Sequence, residues 1–263
     1  MDPRYIGTAA PLTHIHGLGV DGSSKLFVAT HNGLLTPGDE GGWVYAGPDV
    51  HDHMGFSLHP ADGIMYRSGH SMQRPSLGVE SSTDSGRSWT LLADVTDPPV
   101  DFHVMAVSLG DSQALWGWSA AAGMFSSKDG GRTWATLSPT GIDGQIFAMA
   151  GSLEAEVVLA GTANGLYRSG DSGLTWVKLD GITQGPVLAV AADPSDPDRY
   201  LAATPEGVQT TSDGGGTWRL VTSGLPEGVL ALAISPTDGS VAYAADTMSV
   251  YRTADGGASW VKM

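Results

Sequence analysis

The segment Ser82-Thr83-Asp84-Ser85-Gly86-Arg87-Ser88-Trp89 reads as one tight polar loop ended by a large aromatic ring. In such a loop Asp and Ser side chains bond nearby backbone amides, Gly supplies a left-handed position, and Trp packs between sheets. The pattern Ser/Thr-x-Asp-x-Gly-x-Ser/Thr-Trp returns at Ser127–Trp134, Ser169–Trp176, Thr211–Trp218 and Thr253–Trp260. Counting Trp43, whose repeat has lost the loop residues, the tryptophans stand 46, 45, 42, 42 and 42 residues apart. Trp116 and Trp118 fall outside the series.

Each repeat holds four short strand signals. In the fifth they are Val187–Ala191, Tyr200–Ala203, Gly207–Thr210 and Trp218–Val221. Four strands in a unit of about 40–45 residues is the pattern of a propeller blade. The sequence therefore predicts an all-β, six-bladed β-propeller of four-stranded antiparallel blades, occupying 1–263 as one domain. The expected blades are 14–50, 51–100, 101–144, 145–185, 186–227 and 228–263, with 1–13 adding a strand to the sixth to close the ring. The 37 glycines suit a chain with many hairpins, whose turns need positive φ.

The bulk properties exclude several classes of function. A net charge of −15 repels phosphate backbones and anionic membranes, so no nucleic acid is expected as a partner. The absence of cysteine removes disulfides, thiolate metal sites and cysteine nucleophiles. No apolar run reaches membrane-spanning length, and Met1-Asp2-Pro3-Arg4-Tyr5 does not read as a signal peptide.

The five loops resemble the Asp-box (BNR) repeat of sialidases, sortilin-type receptors and photosystem assembly factors. His14-Ile15-His16-Gly17-Leu18-Gly19-Val20-Asp21 and His51-Asp52-His53-Met54-Gly55-Phe56 resemble a bacterial group of such proteins labelled glycosyl hydrolase-like. The resemblance implies that Asp84, Asp129, Asp171, Asp213 and Asp255 are scaffold residues of hairpin turns. It also implies an extracytoplasmic (periplasmic or secreted) place. A sialidase needs an arginine triad for the substrate carboxylate and a Tyr/Glu nucleophile pair. Arg87, Arg132 and Arg219 lie in or beside the loops and the other arginines form no such set, so sialidase activity is not expected.

Aligning the first strand of each repeat exposes a candidate site. The strands read His14–Leu18, His51–Gly55, Asp101–Met105, Gln145–Met149, Pro186–Val190 and Gly228–Leu232. One column then holds His16, His53 and His103, with Phe147, Leu188 and Leu230 on the other repeats; two residues earlier stand His14, His51 and Asp101. Residues i and i+2 of a strand share a face. His31 and His70 follow the second strands of the first two repeats and so belong to the same end, whereas His59 belongs to the opposite end.

So many imidazoles at one mouth predict a metal site, with His14, His16, His51, His53 and His103 as ligands. Asp52, Asp101, His31, His70, Met54 and Met105 are further ligands or partners that orient the rings. Imidazole suits copper and zinc, and the two thioethers favour copper, so the expected cofactor is a copper ion, with zinc next. Uptake is expected to weaken below about pH 6, because protonated imidazole cannot ligate. The insertion 71–78 follows His70 and is placed to cover the mouth.

No residue is assigned as catalytic, and metal-dependent redox or hydrolytic chemistry stays open. Two other readings stay open as well. A glycosidase acting on a glycan or other small molecule at the mouth would need two carboxylates about 5–10 Å apart. Its candidates are Asp52, Asp101, Asp143, Glu206 and Asp246. An interaction or assembly-factor propeller would use the acidic face against a basic partner.

Overall fold

A computed structural model describes residues 5–71, 74–182, 185–221 and 224–263. The strands form six four-stranded antiparallel sheets, each from four strands consecutive in the chain. The first blade comprises β1 (Ile15–Val20), β2 (Leu26–Thr30), β3 (Gly33–Pro37) and β4 (Trp43–Tyr45). The second comprises β5 (Asp52–His59), β6 (Ile64–His70), β7 (Val79–Ser82) and β8 (Thr90–Ala93). The third comprises β9 (Val104–Val107), β10 (Leu115–Ser119), β11 (Gly123–Ser127) and β12 (Ala135–Thr136). The fourth comprises β13 (Ile146–Gly151), β14 (Val158–Thr162), β15 (Gly165–Ser169) and β16 (Val177–Lys178). The fifth comprises β17 (Ala189–Ala192), β18 (Tyr200–Thr204), β19 (Gly207–Thr211) and β20 (Arg219–Val221). The sixth comprises β21 (Ala231–Ile234), β22 (Ala242–Ala245), β23 (Val250–Thr253) and β24 (Val261–Lys262). The innermost strands β1, β5, β9, β13, β17 and β21 line a central channel. Among the described residues no helix is long and apolar enough to cross a membrane.

The apolar core lies in the seams between neighbouring blades. The seam joining the last blade to the first is closed by packing. Ile15, Val20, Leu26 and Val28 meet Ala231, Ala233, Tyr243 and Ala245 there. The Ile15 amide also donates to the Thr247 carbonyl at 3.0 Å. The sixth blade completes its own four strands, and the described residues before β1, from Tyr5 on, do not enter it. That segment instead follows the free edge of the first blade. Gly7 and Ala10 donate to Tyr45 and Trp43, each at 2.9 Å, and Ala10 and Leu12 pack on the closing seam. The free amides and carbonyls of β4 give it bonds that the two-residue β24 offers less of.

The repeated loops are built alike. In the first, Ser88 donates to both oxygens of Asp84 at 2.8 and 2.6 Å, and the Gly86 amide donates to the Ser82 hydroxyl at 2.9 Å. The glycine of each loop has φ between 83° and 98°, the left-handed region. The Thr133 hydroxyl and amide hold Asp129 down to about 2, and the same pair of bonds from Thr175 and Ser259 holds Asp171 and Asp255 at about 2. A carboxyl depressed in the fold stabilises it above the unfolded pKa near 4 and loses that contribution as pH falls toward about 2. The melting temperature is therefore expected to hold from pH 7 to 5 and to fall below about pH 4. Asp171→Asn should lower it at pH 7 and flatten the acid slope. Scanning calorimetry across pH reads both, and an unchanged acid slope would remove this role from the loops.

Candidate metal centre

The ladders fix how the blades correspond. Gly17 pairs with Ala29 and Leu18 with Val28, while Gly55 pairs with Ser68 and Phe56 with Arg67. His31 and His70 each stand two residues beyond Ala29 and Ser68. Gly17 therefore corresponds to Gly55, His16 to Met54, Ile15 to His53, and His14 to Asp52. Matching the two His-x-His triplets instead sets the second blade off by one residue. The difference reverses faces, because a one-residue slip in a strand moves each side chain to the other side. Bulges sit at this place in β1, between Ile15 and Gly17, and in β5, between Asp52 and Gly55.

The corrected inner column is His16, Met54, His103, Phe147, Leu188 and Leu230. The column above it is His14, Asp52, Asp101, Gln145, Pro186 and Gly228. His53 takes the position held elsewhere by Ile15, Phe102, Ile146, Val187 and Val229, all at most 5% exposed. It is itself 0% exposed.

At the mouth the structure gathers His14, His16 and His31. Each can offer one ring nitrogen such that these nitrogens lie within 4.8 Å of one another, a group able to hold a metal ion. Asp52 reaches them from the next blade. Its Oδ1 lies 3.2 Å from His16 Nε2, and its Oδ2 lies 2.7 Å from His31 Nδ1 and 3.3 Å from His70 Nε2. Asp101 Oδ2 continues the chain, 3.3 Å from His70 Nδ1 and 3.4 Å from His103 Nε2. Asp52 is 5% exposed, yet neither of its oxygens, nor His16 Nε2, has a hydrogen bond of good geometry. Gly69 permits the close approach of β6, since a Cβ there would lie 2.1 Å from the Asp52 carbonyl.

His14 has φ 45°, and the sixth blade uses Gly228, φ 75°, at the corresponding position. A histidine in this left-handed conformation costs about 1 kcal/mol. The sequence thus keeps an imidazole side chain in a backbone conformation that favours glycine.

The expected ligands His51 and His53 lie elsewhere. His53 Nε2 is 3.0 Å from Arg67 Nη1, its ring meets Trp89 edge-on at 5.4 Å, and its Nδ1 has no partner. Burial, then the Arg67 charge, then His51 and His16 push its pKa well below the ordinary value, so the ring is neutral. His51 Nδ1 lies 3.0 Å from Asp49 Oδ1. Arg67, 1% exposed, joins Asp49 and Glu80, donating to Glu80 Oε2 from Nε at 2.8 Å, and lies 4.2 Å over the Trp89 ring. None of Arg67, Asp49 and Glu80 was legible as part of a site. The available signal was a lone arginine in a strand otherwise patterned as core.

Met54 and Met105 both line the channel with His16 and His103. Met105 is 4% exposed and belongs to the apolar seam with Phe102, Val107 and Leu115. His59 sits at the far end of β5 with Asp62. Among the other carboxylates, Asp143 is taken up by the Gly144 amide and the Asn164 side chain, and Asp246 by the amides of Met248 and Ser249. Met72 and Gln73 of the insertion lie outside the described residues. Its remainder is pinned at the side of the mouth: Leu77 donates to the Gly69 carbonyl at 2.8 Å, and the Ser76 hydroxyl donates to the Val100 carbonyl. The channel cavity is about 160 Å³, below the roughly 300–1,000 Å³ of pockets for drug-sized ligands.

Fold and site together define a six-bladed propeller with histidines and carboxylates gathered at one mouth of its hub. No family model matches the chain, and no curated protein matches it. Solved structures do. The GH74 xyloglucanase from Xanthomonas campestris superposes with a TM-score of 0.65 at 14% identity, covering 97% of this chain and 55% of that one. The Niastella koreensis GH74 enzyme gives 0.63 and 15%, with 97% and 55% covered. U3-55K gives 0.59 and 11%, covering 97% of this chain and 82% of that one. The chain spans about half the length of both GH74 enzymes. At these identities the likeness is one of fold.

Proposed function

We propose that this propeller binds a transition-metal ion at the mouth of its hub, through His14, His16 and His31 with Asp52 beside them. The observation that carries the reading is the Asp52 carboxylate, 5% exposed, with three imidazoles at 2.7–3.3 Å and no hydrogen bond of good geometry to any of them. A buried carboxylate in that state is costly, and a cation among the rings removes the cost. The donor atoms of His14, His16 and His31 lie within 4.8 Å of one another, and Asp52 stands 3.2 Å from His16 and 2.7 Å from His31, placed to orient both rings. Copper is favoured over zinc, because the Met54 thioether shares the column of His16 and His103. An extracytoplasmic place for the chain belongs to this proposal, on the Asp-box resemblance.

The test is metal analysis of the full chain, stripped with a chelator and reloaded with Cu²⁺ or Zn²⁺. His16→Ala and His31→Ala are each expected to abolish tight uptake. His14→Gly is the sharper variant, since it removes a ligand while relaxing the backbone. It should weaken uptake without lowering the melting temperature of the metal-free protein. Uptake unchanged in all three variants would end the proposal.

A further inference from the structure

We infer that the mouth of the hub takes one small neutral phenol, its oxygen toward the metal position and its ring against the fourth to sixth blades. The inference rests on the metal-binding reading above and names a ligand class for that site. Each inner strand packs against the next, and β21 returns to β1, so blades three apart face each other across the channel. On one half of that ring the inner column holds His16, Met54 and His103. On the other half it holds Phe147, Leu188 and Leu230. Phe147 therefore stands across from His16, and Leu230 across from His103. Both line the channel, yet they are 36% and 38% exposed, and Leu188 between them is half-buried. One exposed apolar side chain carries no message. Three in one column at one opening form a face whose apolar area a ligand removes from water.

Size, charge and donor number narrow the class. The channel cavity of about 160 Å³ matches the roughly 150 Å³ that holds a benzene ring, so one ring is the limit. An aromatic ring can meet Phe147 offset or edge-on, a contact that a saturated ring of the same size lacks. Asp52 and Asp101 balance the two charges of a divalent ion, and the chain carries −15, so nothing draws in a ligand that arrives as an anion. Carboxylates and phosphates fall out on that ground. A phenol is neutral at pH 7, with a pKa of about 10 like that of tyrosine. Three imidazoles leave a tetrahedral ion one open position, which a single phenol oxygen fills. As that oxygen ligates, its O–H proton leaves to solvent, the usual effect of a bound cation on such a group.

The experiment titrates phenol into the full chain by calorimetry, once stripped with a chelator and once loaded with Zn²⁺, with the metal content of each sample read by elemental analysis. The loaded chain is expected to bind one phenol, about tenfold or more tighter than the stripped chain does, and by a similar factor tighter than it binds cyclohexanol. Phe147→Ala and Leu230→Ala are each expected to weaken phenol binding about tenfold or more. Both side chains are more than a third exposed, so the metal content and the melting temperature should stay as in the wild-type chain. Metal bound without phenol, equal phenol binding by stripped and loaded chains, equal binding of cyclohexanol, or full phenol affinity in both variants overturns the phenol site and leaves the metal. No metal uptake by the wild-type chain overturns the metal-binding reading and this inference with it.

Discussion

Arg67→Met is expected to destabilise the fold by about 3–5 kcal/mol, the range found when one partner of a buried ion pair is removed. The other blades show why. Val28, Ala160, Ala202 and Ala244 hold the corresponding ladder position, opposite Leu18, Met149, Val190 and Leu232. All four are 0% exposed and apolar. The second blade places a guanidinium there and surrounds it with Asp49, Glu80, the His53 ring and the face of Trp89. Methionine fills much of the same volume but leaves Asp49 and Glu80, 4% and 8% exposed, without their cation. For a domain of this size the melting temperature should drop on the order of 10 °C. Adding Asp49→Asn and Glu80→Gln should recover part of the loss, because the penalty is the unpaired charge rather than the missing side chain. Thermal and urea denaturation of the single and triple variants read this directly. A triple variant weaker than Arg67→Met would show that packing, not charge, governs the position. The network also anchors the approach to the mouth. Asp49 binds Arg67 and accepts the His51 amide at 2.8 Å, one residue before Asp52 enters β5.

The fold was legible because its signal repeats. Trp89, Trp134, Trp176, Trp218 and Trp260 mark the same turn at nearly constant spacing, and a period of 42–46 residues admits few architectures. The end of the hub that carries the histidines was also legible, since strand direction alone puts His14, His31, His70 and His103 together and His59 opposite. The register of one strand was not. His14-Ile15-His16 and His51-Asp52-His53 look alike as strings, and a bulge leaves no mark in residue type. Gly17 and Gly55 were the better anchors. A Cβ on Gly55 would meet the Phe102 carbonyl at 2.5 Å, so that glycine holds a tight seam with the next blade, whereas one on Gly17 would make ordinary contact with Phe56 at 3.4 Å. Asp52 stood in the sequence as an accessory group and proves central to the constellation. His53 stood as a ligand and is a neutral core residue. The Arg67 network had no sequence signal beyond its misfit with the apolar pattern, since its partners Asp49 and Glu80 come from a loop and from β7.

That one-residue difference in register separates His16 from His53 by experiment. His16→Ala is expected to weaken metal affinity by more than the 10–100-fold typical of losing a group that merely orients a ligand, while Asp52→Asn should fall within that range. With metal at about a thousand times its dissociation constant, binding adds about 4 kcal/mol to wild-type stability. A hundredfold weaker site forfeits about 2.7 kcal/mol of that gain. His53→Leu should behave in the opposite way. It strips the acceptor from Arg67 Nη1, at 3.0 Å, and costs the metal-free protein about 1–3 kcal/mol. The increment on adding metal stays as in the wild-type chain, because His53 faces the seam between the first two blades. Melting curves of both variants, with and without Cu²⁺, give four numbers that resolve the two effects. The corrected register fails if His53→Leu abolishes the metal-induced rise while His16→Ala keeps it, for then the imidazole of the second blade, and not that of the first, faces the ion.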